Sequence, residues 1–317
     1  MVEIDPSVHS HGYSGTKVLK EAAPSLATIL DTAIAERWDE FALQVKKAQT
    51  TPTVKAVHGL RVATRRLLAI LDMLKTAIPK CGGAGTRKKL KSHLKSLSAL
   101  RDTQVQVLRT RELAAGFEVL SSFLRELITR EALEAKNVRK EISRIDLDSL
   151  GGYFGELRAK VNESLSGRAM DNATLTILRG LLAQLFVKAT FIKRSIPVAP
   201  SELTSRCKKI HELRLLFKRL RYTIEILMPV HPGISVAILK RMSDYQTKMG
   251  AVQDTEVLIS AISSQAKKVR KKDIRNGQPA SGAFDRVISH LTDRIREESD
   301  AFLATVDEFD KFWKCFR

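Results

Sequence analysis

The chain has 317 residues, of which 44% are hydrophobic, so it is long enough and apolar enough to bury a packed core. It carries 54 Lys and Arg against 35 Asp and Glu, and its formal net charge of +19 indicates a polyanionic partner. Aromatic residues make up only 6% and Leu, Ala, Lys, Arg and Glu dominate, which disfavours a sheet protein and predicts an all-α fold.

Residues 1–20 are predicted to form a flexible tail before the first helix. They lack the basic and apolar regions of a secretory signal, so we identify no signal peptide. The sequence HSHG at residues 9–12 contains two histidines, which in a tail are a weak signal for metal binding. We therefore expect the folded part of the chain to begin near residue 21.

Helical periodicity runs through most of the remaining chain, and short segments with turn-forming residues interrupt it. The predicted turns lie at residues 50–53, 78–85, 148–152, 196–201, 228–233 and 275–282. They leave roughly eight segments of helical length. The sequence therefore predicts two helical bundles of about four long helices each, formed by residues 21–148 and 149–317 within a single domain.

Two further features bear on the cellular environment. The most apolar helical segment, residues 175–187, is too short to cross a bilayer and contains Arg179, so we predict no membrane contact. Cys81, Cys207 and Cys315 are far apart and lack CxxC or Cys/His ligand spacing, so we predict no disulfide framework, no metal site and no cofactor. The cysteines suit a reducing cytoplasm.

The chain contains an internal repeat. The segment VHGLRVATRRLLAILDML at residues 57–74 aligns with IHELRLLFKRLRYTIEIL at residues 210–227, with an offset of 153. Downstream, LRDTQV at residues 100–105 aligns with VQDTEV at residues 252–257, with an offset of 152. Two motifs preserved in register predict one duplicated structural unit, whose copies are related by a pseudo-twofold axis.

The positive charge is concentrated in the two copies. Residues 58–101 contain eleven Lys and Arg and one acid, whereas residues 206–248 contain ten Lys and Arg and three acids. The copies contribute +10 and +7 of the net +19, which leaves +2 for the rest of the chain. An ordinary solvated helix face mixes both signs, so this distribution favours a binding surface.

Helical geometry separates the basic residues from the apolar ones. In the first copy His58, Arg61 and Arg65 share one helix face, opposite a stripe of leucines. In the next helix Lys88, Lys91 and Lys95 form a stripe of their own, as expected for side chains that follow a line of phosphates. The second copy has Ser243 and Thr247 in place of Lys91 and Lys95, so we expect the two halves to bind unequally.

Each copy also contains one acid and one histidine at a repeated position. We predict that Asp102 and Asp254 are structural acids that orient guanidinium groups through charge-assisted hydrogen bonds. His58 and His211 lie beside arginines, and we predict that they donate to phosphate and gain charge in mildly acidic conditions.

These motifs resemble those of the CHAD family, the conserved histidine α-helical domain. The similarity lies in VHGLRVATRRL, LRDTQV, IHELRLLFKRLRYTIEIL and MGAVQDTEVL, in that order, and extends from about residue 21 to the C-terminus. The resemblance implies two helical bundles with a basic groove or pore between them. It also implies binding of inorganic polyphosphate and association with polyphosphate granules.

The resemblance implies a set of phosphate-contacting residues in each half. In the first half these are His58, Arg61, Arg65, Arg66, Lys88, Lys91 and Lys95. In the second half they are His211, Arg214, Lys218, Arg219, Arg221, Tyr222, Lys240 and Arg241.

Two other functions are compatible with the charge. The first is binding of RNA or DNA by the same basic surface, although the basic helices contain few aromatic residues for stacking besides Tyr222 and Tyr245. The second is hydrolysis or transfer of phosphate, which would require a cluster of metal-binding carboxylates that these helices lack. We find no P-loop, GxSxG, HExxH or kinase-like motif, so we predict a binding protein and not an enzyme.

The sequence leaves the oligomeric state open. The basic block at residues 267–275 is predicted to be a solvated helix end rather than a part of the binding site.

Overall fold

The computed structural model describes residues 25–51, 53–78, 83–165, 172–230, 234–276 and 282–314. These residues form α-helices and two short 3-10 turns and contain no strand, which confirms the predicted all-α fold. The helices are α1 (Leu26–Thr50), α2 (Val54–Ala77), α3 (Ala84–Ala114), α4 (Leu120–Ile142), α5 (Leu147–Leu165), α6 (Asn172–Arg194), α7 (Leu203–Leu227), α8 (Val236–Arg275), α9 (Ala283–Leu303) and α10 (Glu308–Lys314).

Several predictions from the sequence fall on other parts of the chain. The N-terminal tail of residues 1–20, the HSHG sequence and the cysteines Cys81 and Cys315 lie outside the described residues. Within the described residues, no helix has the length and hydropathy needed to cross a membrane.

Side-chain caps fix the start of three helices. Ser25, Thr53 and Ser235 each accept a hydrogen bond from the backbone N–H three residues later, at distances of 3.2, 3.1 and 3.3 Å. These bonds satisfy N–H groups that have no partner in the first turn of a helix. α3 begins differently, after Gly83 with a φ of +98°, a left-handed conformation that favours glycine. These local features therefore define the residues at which α2, α3 and α8 begin. All three helices carry repeated motifs.

The turn predicted at residues 148–152 is wrong, because these residues lie inside α5. The chain instead turns at residues 143–146, between α4 and α5. Gly151 packs against the indole of Trp38, where an added Cβ would lie 3.3 Å from the ring. Tertiary packing therefore overrides the weak helix propensity of glycine at this position.

Two breaks were not predicted. The chain leaves the helical conformation between α3 and α4 at residues 115–119, and between α9 and α10 at residues 304–307. Neither segment contains proline, and the first contains a single glycine, Gly116. The usual signals for a turn are therefore too weak there to interrupt the helical periodicity.

Helices that follow each other in the chain pack together in most cases. α1 packs on α2, α2 on α3 and α3 on α4, whereas α6 packs on α7, α7 on α8 and α8 on α9. α5 returns to α1, so the division predicted at residue 148 would fall in the first turn of a helix that packs against α1. Contacts of α2 with α7 and of α3 with α8 join the two groups of helices.

Two separate apolar clusters hold the helices together. The larger one contains buried residues from all ten helices, and Leu60 and Leu67 of α2 lie in it with Leu213 and Phe217 of α7. The smaller one joins α3 and α4 to α8 and α9 through side chains such as Phe123, and includes Val107, Leu120, Leu127, Leu258, Ile262, Phe284, Val287 and Leu291. α2, α3, α7 and α8 also turn polar side chains toward a shared cavity.

The substitution Phe217→Ala tests the larger cluster. Phe217 has no exposed surface and contacts the rings of Tyr245, Phe309 and Phe312. Its truncation is expected to lower the free energy of unfolding by about 3–5 kcal/mol, because it removes buried contacts and leaves a cavity. Denaturant unfolding measures this change, and Leu133→Ala on the exposed surface of α4 is the control, with an expected change within about 0.5 kcal/mol.

Candidate functional site

Four helices surround a cavity of about 450 Å³. α2 and α7 carry the histidine motifs of the repeat, and α3 and α8 carry the aspartate motifs, so both copies contribute to the same cavity. The lining residues are His58, Arg61, Arg65, Ser98, Arg101, Asp102, Val105, Gln106, Arg109, His211, Arg214, Leu215, Lys218, Gln253, Asp254, Val257 and Leu258.

The position of the basic side chains follows from the amphipathic character of α2 and α7. On α2, Leu60 and Leu67 are fully buried in the larger cluster, which turns Arg61 and Arg65 toward the cavity. On α7, Leu213, Phe217 and Leu220 are fully buried, which turns Arg214 and Lys218 toward the same cavity.

The cations in this cavity have few internal partners. The Nε atoms of Arg61 and Arg214 are buried and have no hydrogen-bond partner, and the same holds for Nδ1 of His211. Among the residues that the structure describes, Arg61, Arg65, Arg101, Arg214 and Lys218 form no ion pair within 4.0 Å. Unsatisfied buried donors are unusual in folded proteins, so an anion is the natural missing partner.

Burial and mutual repulsion shift the pKa values of these cations. Burial, followed by the charges of Arg214, Arg65 and Arg61, lowers the pKa of Lys218 to about 7. Burial and the neighbouring Arg65 lower the pKa of Arg61 to about 10. Lys218 is therefore only partly charged at neutral pH, whereas Arg61 keeps its charge.

The histidines are also less basic than usual. Partial burial and then the charges of Arg101, Arg61 and Arg65 lower the pKa of His58, whose side chain stays in contact with solvent. Burial and then Arg214 and Lys218 lower the pKa of His211. Both imidazoles are consequently neutral at neutral pH without a ligand, and a bound anion would favour protonation.

The two repeated acids occupy the cavity wall in different ways. A carboxylate oxygen of Asp254 lies 3.5 Å from Nη2 of Arg109, which joins α8 to α3. Asp102 lies near Arg61, Arg65 and Arg214, but it forms no hydrogen bond with them. Partial desolvation raises the pKa of Asp102 although these arginines oppose the shift.

Five predicted site residues lie away from the cavity or are engaged elsewhere. Glu225, which is 11% exposed, pairs with Nε of Arg66 at 3.2 Å and with Nη1 of Arg221 at 3.1 Å. Tyr222 is buried beneath the Arg221 guanidinium, whereas Arg219 is exposed and lines a different pocket with Lys188 and Glu212. The fifth is Arg241, which stacks on the ring of Phe312.

Four predicted lysines are exposed on the helices that carry the aspartate motifs. Lys240 of α8 lines a different cavity of about 690 Å³, together with Arg37, Arg66 and Arg221. The other three, Lys88, Lys91 and Lys95, lie on the exposed surface of α3, N-terminal to the residues of this helix that line the main cavity.

Sequence reasoning missed several residues of the cavity. Arg101 and Arg109 are the two additional cations, and Ser98, Gln106 and Gln253 are the additional neutral polar residues. Arg101 directly precedes the repeated Asp102, so its place in the motif was a usable signal. Arg109 lies one helical turn beyond the motif, where no repeat marks it.

The chemistry available to the site is limited to a few groups. Its lining includes six cations, two histidines and two carboxylates, and no Phe, Tyr or Trp is found among the described residues that line it. In the described parts of the chain, no group of three or more His, Cys, Asp and Glu side chains is arranged to hold a metal ion. The arrangement can therefore bind an anion through hydrogen bonds and charge.

Comparisons with known proteins identify the fold. The family model described as CHAD domain matches residues 32–263. The crystal structure of the CHAD domain from the plant Ricinus communis superposes with a TM-score of 0.61 at 16% identity, covering 92% of this chain and 98% of that chain. PptA from Streptomyces chartreusis superposes with a TM-score of 0.56 at 18% identity, covering 92% of this chain and 100% of that one. No curated protein matches significantly in sequence.

The substitution Lys218→Met tests the crowding of cations in the unliganded cavity. Folding lowers the pKa of Lys218 from 10.5 to about 7, so the unfolded chain binds more protons between these values. Wild-type stability should accordingly rise with pH across this window. We expect Lys218→Met to raise the free energy of unfolding by on the order of 1 kcal/mol at pH 7, with a smaller gain toward pH 10.

Denaturant unfolding at several pH values measures this gain. Arg219→Met, at the exposed neighbouring position, is the matched control and should show no such pH-dependent gain. If Lys218→Met were less stable than the wild type at pH 7, the claim that repulsion and desolvation of the Lys218 charge destabilise the folded protein would be wrong.

Proposed function

The chain belongs to the CHAD domain family, whose members bind polyphosphate, and from this premise we propose that it binds inorganic polyphosphate in the cavity between α2, α3, α7 and α8. Polyphosphate is a flexible linear polymer with about one negative charge per phosphate. It can supply many anionic oxygens to a small volume, which a single phosphate ion cannot do.

One observation carries the proposal. Cations from two distant copies of the same motif meet in one cavity, and Arg61, Arg65, Arg214 and Lys218 have no acidic partner there within ion-pair distance among the described residues. Their burial costs free energy that a bound polyanion would offset through charge-assisted hydrogen bonds. The fold therefore keeps an unneutralised site where a polyanion can bind.

The nucleic-acid alternative receives no support from the cavity. The described residues that line it include no Phe, Tyr or Trp, the side chains that form the main stacking platforms for bases. Tyr222 and Tyr245, the tyrosines of the basic helices, are only 7% and 1% exposed. Phosphate contacts remain available to any polyanion, so we propose at most weak nucleic-acid binding that polyphosphate displaces readily.

We propose that the protein binds polyphosphate without cleaving it. Among the described residues, Asp102 and Asp254 are the only carboxylates that line the cavity, and Asp254 is paired with Arg109. Metal-assisted phosphoryl transfer would require carboxylates that hold a metal ion beside the cations. Association with polyphosphate granules in the cytoplasm is part of the same proposal.

The fourfold variant Arg61→Gln, Arg65→Gln, Arg214→Gln and Lys218→Gln tests the site directly. We expect its affinity for long-chain polyphosphate to fall by about 100-fold or more, and its salt dependence to become shallower, because fewer counterions are released on binding. Titration at several salt concentrations measures both quantities, and circular dichroism verifies that the fold is retained.

The matched control removes four exposed cations outside the cavity, at Lys136, Lys140, Lys267 and Lys271. This variant has the same net charge as the fourfold cavity variant, and its affinity should change only a few-fold. Equal losses in the two variants would show that net charge alone attracts the polymer, and the cavity assignment would then be wrong.

Polyphosphate affinity should fall as the pH rises above about 7. A bound polyanion favours the charged form of Lys218, whose pKa is about 7 in the unliganded cavity, so binding is accompanied by proton uptake above that pH. One such group changes the affinity by at most about tenfold per pH unit. Titrations at pH 7, 8 and 9 measure the slope, which should be shallower in Lys218→Met. Equal slopes in the two proteins would exclude Lys218 from the binding site.

A further inference from the structure

We infer that a long polyphosphate chain leaves the cavity along α3 and not along α8, so that the complete binding site is a cavity with one external track. The α3 track is defined as Lys88, Lys91 and Lys95. This inference rests on the proposed function and specifies its ligand, a linear polyphosphate longer than the cavity.

The α3 track is continuous with the cavity wall. Its lysines are followed at the same helical spacing by Ser98 and Asp102, which line the cavity. Residues separated alternately by three and four positions share one face of a helix. With a rise of about 1.5 Å per residue, Lys88 lies about 15 Å along the helix axis from Ser98. A polymer that emerges between the helices at Ser98 would therefore meet the three lysines in succession.

The α3 track is also free to bind an anion. All three side chains are exposed, and α3 contains no acid from Ala84 to Arg101. The nearby acid Asp72 of α2 is already paired with Arg87, whose Nε lies 2.5 Å from its carboxylate. Within the described part of the chain, none of the track lysines forms an ion pair.

The corresponding face of α8 has a different character. The positions equivalent to the α3 track are Lys240, Ser243 and Thr247. The Thr247 hydroxyl donates a hydrogen bond of 3.0 Å to the backbone oxygen of Ser243, and Lys240 faces the second cavity with Arg66 and Arg221. α8 also carries the exposed acid Asp244 in this stretch. The exposed cations Arg241 and Lys248 lie on either side of this acid, and Arg241 stacks on the ring of Phe312. α8 therefore lacks an uninterrupted row of cations like the α3 track.

The asymmetry continues inside the cavity. Arg101 of α3 corresponds to Gln253 of α8, and Arg109 corresponds to Ala261. α3 thus carries more positive charge than α8, both among the residues that line the cavity and in the part of the helix N-terminal to them. All these differences make α3 the more positive helix. Its positive electrostatic potential should therefore guide the part of the polyphosphate that lies outside the cavity.

The ligand's length decides whether the α3 track is used. Tripolyphosphate can occupy the cavity but cannot also reach back to Lys88. A long chain can contact the cavity and the track together, and the second contact is then intramolecular. The track should therefore raise the affinity for long chains without changing the affinity for short ones.

The variant Lys91→Ser with Lys95→Thr gives α3 the residues found on α8. We expect its affinity for long-chain polyphosphate to fall by about tenfold and the salt dependence to become shallower by roughly two phosphate contacts. Its affinity for tripolyphosphate should change by less than about twofold, since the cavity is intact. Titration of both ligands under the same conditions measures the difference.

Two further variants complete the experiment. Lys136→Ser with Lys140→Thr on the exposed surface of α4 removes the same charge and should leave long-chain affinity nearly unchanged. Adding Thr247→Lys to the α3 variant returns one positive charge on α8 and should not restore long-chain affinity.

The outcomes separate the track from the cavity. Unchanged long-chain binding in the α3 variant, or recovery by Thr247→Lys, would overturn the one-sided track while leaving the cavity assignment intact. An equal loss for both ligands would also overturn it, because the lysines would then act through the cavity. Failure of the proposed function itself would appear as unaltered tripolyphosphate binding in the fourfold cavity variant.

Discussion

The fold holds several half-buried cations close together, and the rest of the structure must offset the repulsion between them. Arg61, Arg65, Arg214 and Lys218 lie in one small cavity. Burial and the neighbouring positive charges lower the pKa values of Arg61, Arg214 and Lys218, which disfavours their charged forms. The two apolar clusters must stabilise the protein against this repulsion. Part of the free energy gained by burying apolar side chains is thus retained as a site prepared for an anion, as is common at functional sites.

The contrast with a neutralised network shows what distinguishes the cavity. Arg66 and Arg221 belong to the same basic motifs, but both pair with Glu225: Arg66 across the contact between α2 and α7, and Arg221 within α7. Arg66 therefore helps to join the two groups of helices. In the cavity the nearby carboxylates are fewer than the cations, and Asp254 is engaged by Arg109. The balance of local charge, more than the presence of arginine, thus distinguishes the proposed binding residues from Arg66 and Arg221.

The sequence predicted the parts of this structure that depend on periodicity and repetition. The all-α fold follows from apolar residues at helical spacing, and the repeat brought His58, Arg61 and Arg65 to attention together with His211, Arg214 and Lys218, all of which line one cavity. The repeat could not show which of two adjacent cations faces the cavity. Arg65 and Arg66 are neighbours in the chain, but a step of about 100° around the helix sends them to different surroundings.

Other features depend on contacts that no local pattern encodes. Residues 148–152 look like a turn because of two glycines, yet packing of Gly151 against Trp38 keeps them helical. Arg109 lies outside both motifs and joins the cavity because α3 and α8 approach each other there. The pseudo-twofold relation of the copies stays a prediction, although residues from both copies line the cavity.

A crystal structure of the protein with bound tripolyphosphate would test the central claim most directly. The account predicts phosphate oxygens within hydrogen-bond distance of the guanidinium groups of Arg61 and Arg214, with Lys218 as a further donor. Phosphates bound only on the outer surface, with these three side chains still lacking an anionic partner, would contradict it.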